Sequence, residues 1–384
     1  MKIKVPSYFK EFKCIASECE DTCCSGWEIV IDDETCDIYR SVKGSFGERL
    51  RNEIVHREGE NIFVLKGSDC PFLNTNKMCD IYSEIGEDSL CYTCKQYPRY
   101  IEEFGNLREI GISLSCPEAA RIILRDNKKV EFDISENQEV ISSYNDIDAM
   151  LFMNLLQCRK VVIDILQNNE IELKYRAAIV LKFAEEIQEK IDGKQIQDIK
   201  HIKEKYLDNN FIKKFIDSMN QYKGKENVKY GTMREFINVF KGLKHINSND
   251  PLGLDKALKY LWEDNDLINY IARHEEFNEY YKEKMFKFQS LLVYFVFRYF
   301  MKAVFDYDLS GKVKTAIASY LMIKELFIVR LIDNNKFTDE DAVDIMHMYS
   351  KDVEHLVENI DTLAEIFETN KVFDLESMLI ALEN

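Results

Sequence analysis

The sequence predicts a mainly α protein with two parts: a small, irregular, cysteine-rich metal-binding domain with short strands (1–130), then an all-helical C-terminal domain (131–384). Three observations carry this. Ten of the 11 cysteines fall in the first 116 residues. Four of the five prolines and eight of the 14 glycines precede residue 118. The long remainder, almost free of proline, repeats its apolar residues at three- and four-residue spacing, as packed helices require.

Taken in order, the first part shows only short elements. Trp27, Ile29 and Ile31 alternate with Glu28, Val30 and Asp32, a strand signature, and 63–65 and 110–114 are similar. Helices follow from about residue 135. Over 174–191 the stripe Ala177, Ala178, Val180, Leu181, Ala184, Ile187, Ile191 ends at Gly193. Thr338 with Asp341 reads as a capping box opening a helix whose stripe runs from Ala342 to Ile360. Segments 137–168, 208–222, 254–273 and 285–305 are also predicted helical, and the aromatic residues of the last are read as core.

Composition narrows the partners. The 384 residues are 46% hydrophobic, with 51 basic against 68 acidic side chains and a net charge of −17. Disorder is excluded, and so is nucleic-acid binding through a basic face. The longest apolar run, 291–297, has seven residues, against roughly 20 for a membrane span. The N-terminus, Met-Lys-Ile-Lys-Val-Pro, has no apolar signal region, so a cytoplasmic location is expected. There, clustered cysteines are metal ligands or redox groups more often than disulfides.

The thiols form two groups: Cys14-x4-Cys19-x3-Cys23-Cys24, and Cys70, Cys79, Cys91-x2-Cys94 with Cys116. Soft sulfur suits zinc and iron–sulfur clusters. The spacings match no radical, ferredoxin or zinc-ribbon motif. In an extended backbone Cys23 and Cys24 point to opposite sides, so either one packs or a turn redirects it. Cys36 and Cys158 read as packing thiols. The acidic residues Glu20, Asp21, Glu28, Asp32 and Asp33 beside the first group attract a lysine or act as caps and turns. The six histidines show no paired ligand spacing.

Cys-Glu-Asp-Thr-Cys-Cys-Ser-Gly-Trp (19–27), Cys-Pro-Phe-Leu (70–73), Cys-Asp-Ile-Tyr (79–82), Leu-Cys-Tyr-Thr-Cys (90–94), Tyr-Pro-Arg (97–99) and Ser-Cys-Pro-Glu-Ala-Ala-Arg (115–121) resemble the flagellin lysine-N-methylase family. That family lies within a wider set of cysteine-rich proteins with a zinc- or iron-chelating domain. The resemblance covers roughly 10–125, and the helical remainder carries no recognised motif. It implies a bacterial enzyme that methylates lysine ε-amines of flagellin, or of another lysine-bearing protein, with S-adenosylmethionine. It also implies a [4Fe–4S] cluster or zinc held among Cys14, Cys19, Cys23, Cys24, Cys70, Cys79, Cys91, Cys94 and Cys116. Nine thiols exceed the four one cluster needs, so some are structural or a second metal is bound. No G-x-G loop for a Rossmann-type cofactor site occurs. Arg99 is the candidate for a cofactor carboxylate, or a brace for the cysteine core. The alternative is a non-catalytic zinc- or iron-chelating module whose helical domain binds a protein partner. A redox role for Cys91 and Cys94 lacks a thioredoxin-like surround.

Overall fold

The computed structural model describes residues 1–139, 147–246, 250 and 252–384. Two small sheets occupy the N-terminal part. One is four-stranded, ordered Arg99–Phe104, Leu107–Ile112, Lys2–Pro6, Phe132–Glu136. Lys2–Pro6 runs parallel to Leu107–Ile112 and antiparallel to Phe132–Glu136. The other is antiparallel, ordered Ile29–Ile31, Glu60–Phe63, Ile54–Arg57. The alternation at 27–32 thus yields a strand, while the other two sit slightly earlier than their apolar runs suggest. Pairing places Gly111 opposite Tyr100. A Cβ there would lie 2.3 Å from the Tyr100 hydroxyl, so the tyrosine crosses the sheet only over a glycine.

The cysteine segments wrap a small core of their own, in which Cys36, Cys70 and Cys91 pack with Tyr39, Phe63 and Phe72. The helices form a second, larger core that also takes in Phe104, Ile112 and the Pro117–Leu124 helix. At its centre lies Leu309–Asn334, which packs on Leu173–Asp192, Phe286–Tyr299, Asp339–Tyr349 and Val357–Thr369. No apolar stripe announces this helix. It is buried on nearly every side, Ser310, Gly311, Thr315, Ser319 and Glu325 included, so its periodicity is flat.

Several predicted helices keep their place with altered ends. The 174–191 stripe becomes Leu173–Asp192, and 208–222 becomes Asn209–Met219 with a 3₁₀ turn. Of 137–168 the helix is Ala149–Leu166, and 140–146 lie outside the described residues. The Thr338–Asp341 capping box forms in both directions. Two predictions need correction. Segment 254–273 is a short helix and a π-turn, Lys259–Glu263, then a new helix from Leu267, because Asp266 caps Asn269 N–H. The helix drawn from 338 to 360 stops at Tyr349, passes through the π-turn Ser350–Glu354, and restarts at Val357. The run Lys282–Asp306 is long and apolar enough to cross a membrane, but 83% of its most apolar window is packed inside the protein.

One buried ion pair ties the sheet to the bundle. Arg159 and Glu109 are each 1% exposed. The guanidinium grips both carboxylate oxygens, one at 2.6 Å, and also donates to the Phe297 carbonyl at 3.1 Å. Removing one partner strands a charge, so Glu109→Ala should lower unfolding free energy by about 3–5 kcal/mol in urea titration.

A polar knot also lies inside the bundle. Glu325 accepts from the Tyr270 hydroxyl at 2.8 Å and faces His274 Nε2 at 2.9 Å. Burial and neighbouring Lys229 push Lys324 down to about 7, against the pull of Glu325. Between that value and the ordinary lysine range the unfolded chain binds a proton the folded chain lacks, so this group's contribution rises with pH. Lys324→Met should therefore gain most over wild type below pH 7, and the gain should shrink towards pH 10, read as the difference in urea midpoints.

Candidate functional site

All eleven cysteines are free thiols. A turn at Cys23-Cys24 redirects the adjacent side chains and brings them together rather than apart. The interaction between the two thiols lowers Cys24 to about 7 and raises Cys23. Cys91 stands at the N-cap position of the Tyr92–Gln96 helix with Cys94 one turn on, and the interaction of the two thiols lowers Cys91 and raises Cys94. Burial pushes Cys70 up to about 12, with the charges of Cys24, Cys79 and Cys91 adding to it. Burial likewise pushes Cys116 up to about 12, helped by Cys19 and Cys14. The nine candidates thus fall into two neighbourhoods that meet at Cys23 and Cys24. Cys158 lies apart in the helical core, whereas Cys36 packs in the same small core as Cys70 and Cys91, and both are fully buried.

By donor chemistry the thiols suit a thiophilic metal. By placement they do not converge: among the described residues no three His, Cys, Asp or Glu side chains are set to hold a single ion. Arg99 stacks on Phe12 of the larger core, its guanidinium 5.2 Å from the ring centre. Of the acidic candidates, Asp32 caps Thr35 N–H at 2.9 Å and accepts from Tyr92 N–H at 2.7 Å. Glu28 pairs with Arg57, and Glu20 with Arg121, which also reaches Glu340. Asp21 turns instead towards a buried site.

That site is the junction between the first cysteine group and the π-turn. His355 N–H donates to Ser350 C=O, five residues back, at 3.1 Å. All five residues of the turn are buried, four of them polar. Lys351 Nζ bonds both Asp21 oxygens at 3.0 and 2.8 Å and lies 5.0 Å from the centre of the Trp27 ring. Trp27 stacks on His355 at 4.2 Å and neighbours Tyr97 at 5.5 Å. Gly26, at φ +102°, lets the chain pass, since a Cβ would come 3.3 Å from Lys351 Cε. His347 Nδ1 is buried without a hydrogen-bond partner, 3.7 Å from Asp21.

Glu354 faces the other way. It accepts from Tyr299 at 2.8 Å and Tyr294 at 3.2 Å and stands 3.5 Å from Arg298. Burial opposes the charge of Arg298, but Tyr294, Tyr299 and Glu354 outweigh it. Arg298 also donates to Ser113 Oγ at 3.0 Å and covers the Tyr100 ring at 4.7 Å. The aromatic stretch at 285–305 is thus core, as predicted, but two of its hydroxyls serve this network.

Sequence reasoning missed His347 and Lys351. Their signal was present: His347, Lys351 and His355 recur at four-residue spacing beside the apolar stripe of the same segment.

A cysteine-rich module clamped by charge onto a helical bundle places the chain in a definite class, and comparison narrows it. A family model described as the FliB lysine N-methylase C-terminal domain matches residues 159–381. This is more than half the chain, and the chain belongs to that family. The match lies in the helical part, where no motif was recognised, and complements the N-terminal resemblance. A flagellar biosynthetic protein FliU of Salmonella muenchen is 28% identical over 135 residues, spanning 32% of this chain and 76% of that protein. Two proteins named lysine-N-methylase, from Salmonella typhimurium (strain LT2) and Salmonella choleraesuis (strain SC-B67), are 28% identical over 128 residues, or 32% of each chain. The chain thus spans about a third of the length of those two relatives. No solved structure matches.

Removing the Glu354 carboxylate should leave Arg298 unpaired. Glu354→Ala is expected to cost about 3–5 kcal/mol, and Tyr299→Phe only about 1 kcal/mol, both by urea denaturation with near-ultraviolet circular dichroism confirming the fold.

Proposed function

We propose that this chain is a protein-lysine N-methyltransferase that uses S-adenosylmethionine and takes flagellin or a similar lysine-bearing protein as substrate. The observation that carries the reading is the family match over the helical domain. The net charge of −17 supports it, because a lysine-rich surface is attracted to an acidic protein. S-adenosylmethionine supplies an electrophilic methyl on a sulfonium. The lysine nitrogen forms the new C–N bond as the C–S bond breaks, and the amine must first shed its ammonium proton. What this chain contributes is the binding of the ammonium, its orientation and a route for that proton.

The thiols of Cys14, Cys19, Cys23, Cys24, Cys70, Cys79, Cys91, Cys94 and Cys116 are proposed as the set from which an iron–sulfur cluster, or zinc, draws its ligands. A bound centre would stiffen a module whose own core is small. A cytoplasmic site of action accords with reduced thiols.

Two measurements test the reading. Incubation with labelled S-adenosylmethionine and flagellin should place label on lysine, and absence of label refutes the activity for that substrate. Anaerobically purified protein should absorb near ~400 nm, the charge-transfer region of thiolate-bound iron. That band should survive Cys36→Ala and Cys158→Ala but weaken in Cys24→Ser. A colourless zinc protein would refute the iron–sulfur centre and leave the label test to decide between the enzyme and the non-catalytic alternative.

A further inference from the structure

The junction around Lys351 has the makings of a receptor for an alkylammonium. Trp27 offers a ring face, Asp21 a carboxylate, and His347 an unpartnered nitrogen. A cation over an aromatic face beside a carboxylate is held by both, more strongly where water is excluded. His347 is 2% exposed, yet its Nδ1 has no partner. A buried, idle acceptor calls for a ligand that brings a donor. Burial pushes the imidazole below its ordinary pKa, against the pull of Asp21 and Asp344, which favours the neutral ring.

We propose that the Trp27–Asp21–His347 cage receives the substrate's lysine side chain, and that Lys351 fills it in the free protein as an internal stand-in which the incoming lysine displaces. The inference rests on the lysine-methylase reading and adds the place where the amine binds. The Asp21 side chain is 27% exposed and marks the side of entry. Lys351 stands on a π-turn, which carries one residue more than an α-turn. Arg121, held by Glu20 and Glu340, keeps the two faces of the junction together. An ammonium donating to His347 Nδ1 also has its proton pointed at an acceptor, as the loss of that proton requires.

The test needs no methyl transfer. Lys351→Ala leaves a slot shaped for n-propylammonium, which matches the side chain beyond Cβ. By isothermal titration calorimetry this variant should bind n-propylammonium at least tenfold more tightly than wild type. Uncharged n-propanol should not bind, and adding Asp21→Asn should remove the gain. Equal binding to wild type and variant, or equal binding of the alcohol, overturns the proposal. If the alanine variant does not fold, Lys351→Val, which also removes the Cδ and Cε carbons, keeps a short stem beside Trp27 and frees the charge position with the carbon next to it. It should bind methylammonium at least tenfold more tightly than wild type, and failure to do so overturns the proposal equally. Methyl transfer is read separately. With flagellin below saturation, Lys351→Val should form methylated product several-fold faster than wild type, whereas a purely structural Lys351 predicts a slower variant. Wild type that transfers no methyl sinks the methylase reading, while the calorimetric result still decides for or against the cage.

Discussion

The buried turn Ser350–Glu354 sets the terms for everything around it. Lys351, Asp352 and Glu354 each bring a charge out of water, and an uncompensated buried charge costs several kcal/mol. The rest of the chain must therefore deliver partners to this spot. Asp21 comes from the cysteine segment for Lys351. His245 and the Ile246 N–H approach Asp352, and Asn359 Nδ2 donates to its carbonyl at 3.1 Å. Arg298, Tyr294 and Tyr299 converge on Glu354. These partners span the sequence from residue 21 to residue 359, and any shift of the module against the bundle would strand at least one of them. Charge satisfaction at this turn, together with the apolar core that takes in Phe104, Ile112 and the Pro117–Leu124 helix, fixes how the two parts meet.

The two parts are held by different means. The bundle closes over Leu309–Asn334, whose burial on all sides makes a single continuous core. The cysteine module has only a few apolar residues and fills its interior with thiols such as Cys70 and Cys91. Its sheets are short, and Arg49 laces Asp80 at 2.7 Å to the Pro71 carbonyl. Small modules of this kind gain much of their order from cross-links or bound metals.

Much of the fold was legible. Where a helix exposes one face, as at Leu173–Asp192, its stripe could be read, and the Thr338–Asp341 box marked a helix start to the residue. Leu309–Asn334 escaped because a helix surrounded by protein has no polar face to set its period. The break at 355–356 escaped because the apolar stripe Val353, Leu356, Ile360 runs through it, whereas at 264–266 the polar run Glu263-Asp264-Asn265-Asp266 was a stop signal that went unused. Of the site, the cysteines and Asp21 were visible by composition and position, and Trp27 by its place in a motif. Lys351 and His347 were not, since a lysine and a histidine on a helix are ordinarily solvent-facing.

The sequence alone determined that a thiol-rich module precedes a helical domain, that the protein is acidic, and which family its cysteine blocks resemble. Those properties are local or compositional, and local residues encode them. Only the tertiary structure decided that Cys23 and Cys24 face each other, that Asp21 meets Lys351 across 330 positions of chain, and that an idle histidine nitrogen lies beside them. Such facts depend on contacts between distant segments, whose distances no single stretch of residues specifies. The crowding of cysteines located the module, and the packing of the bundle against it located the cage.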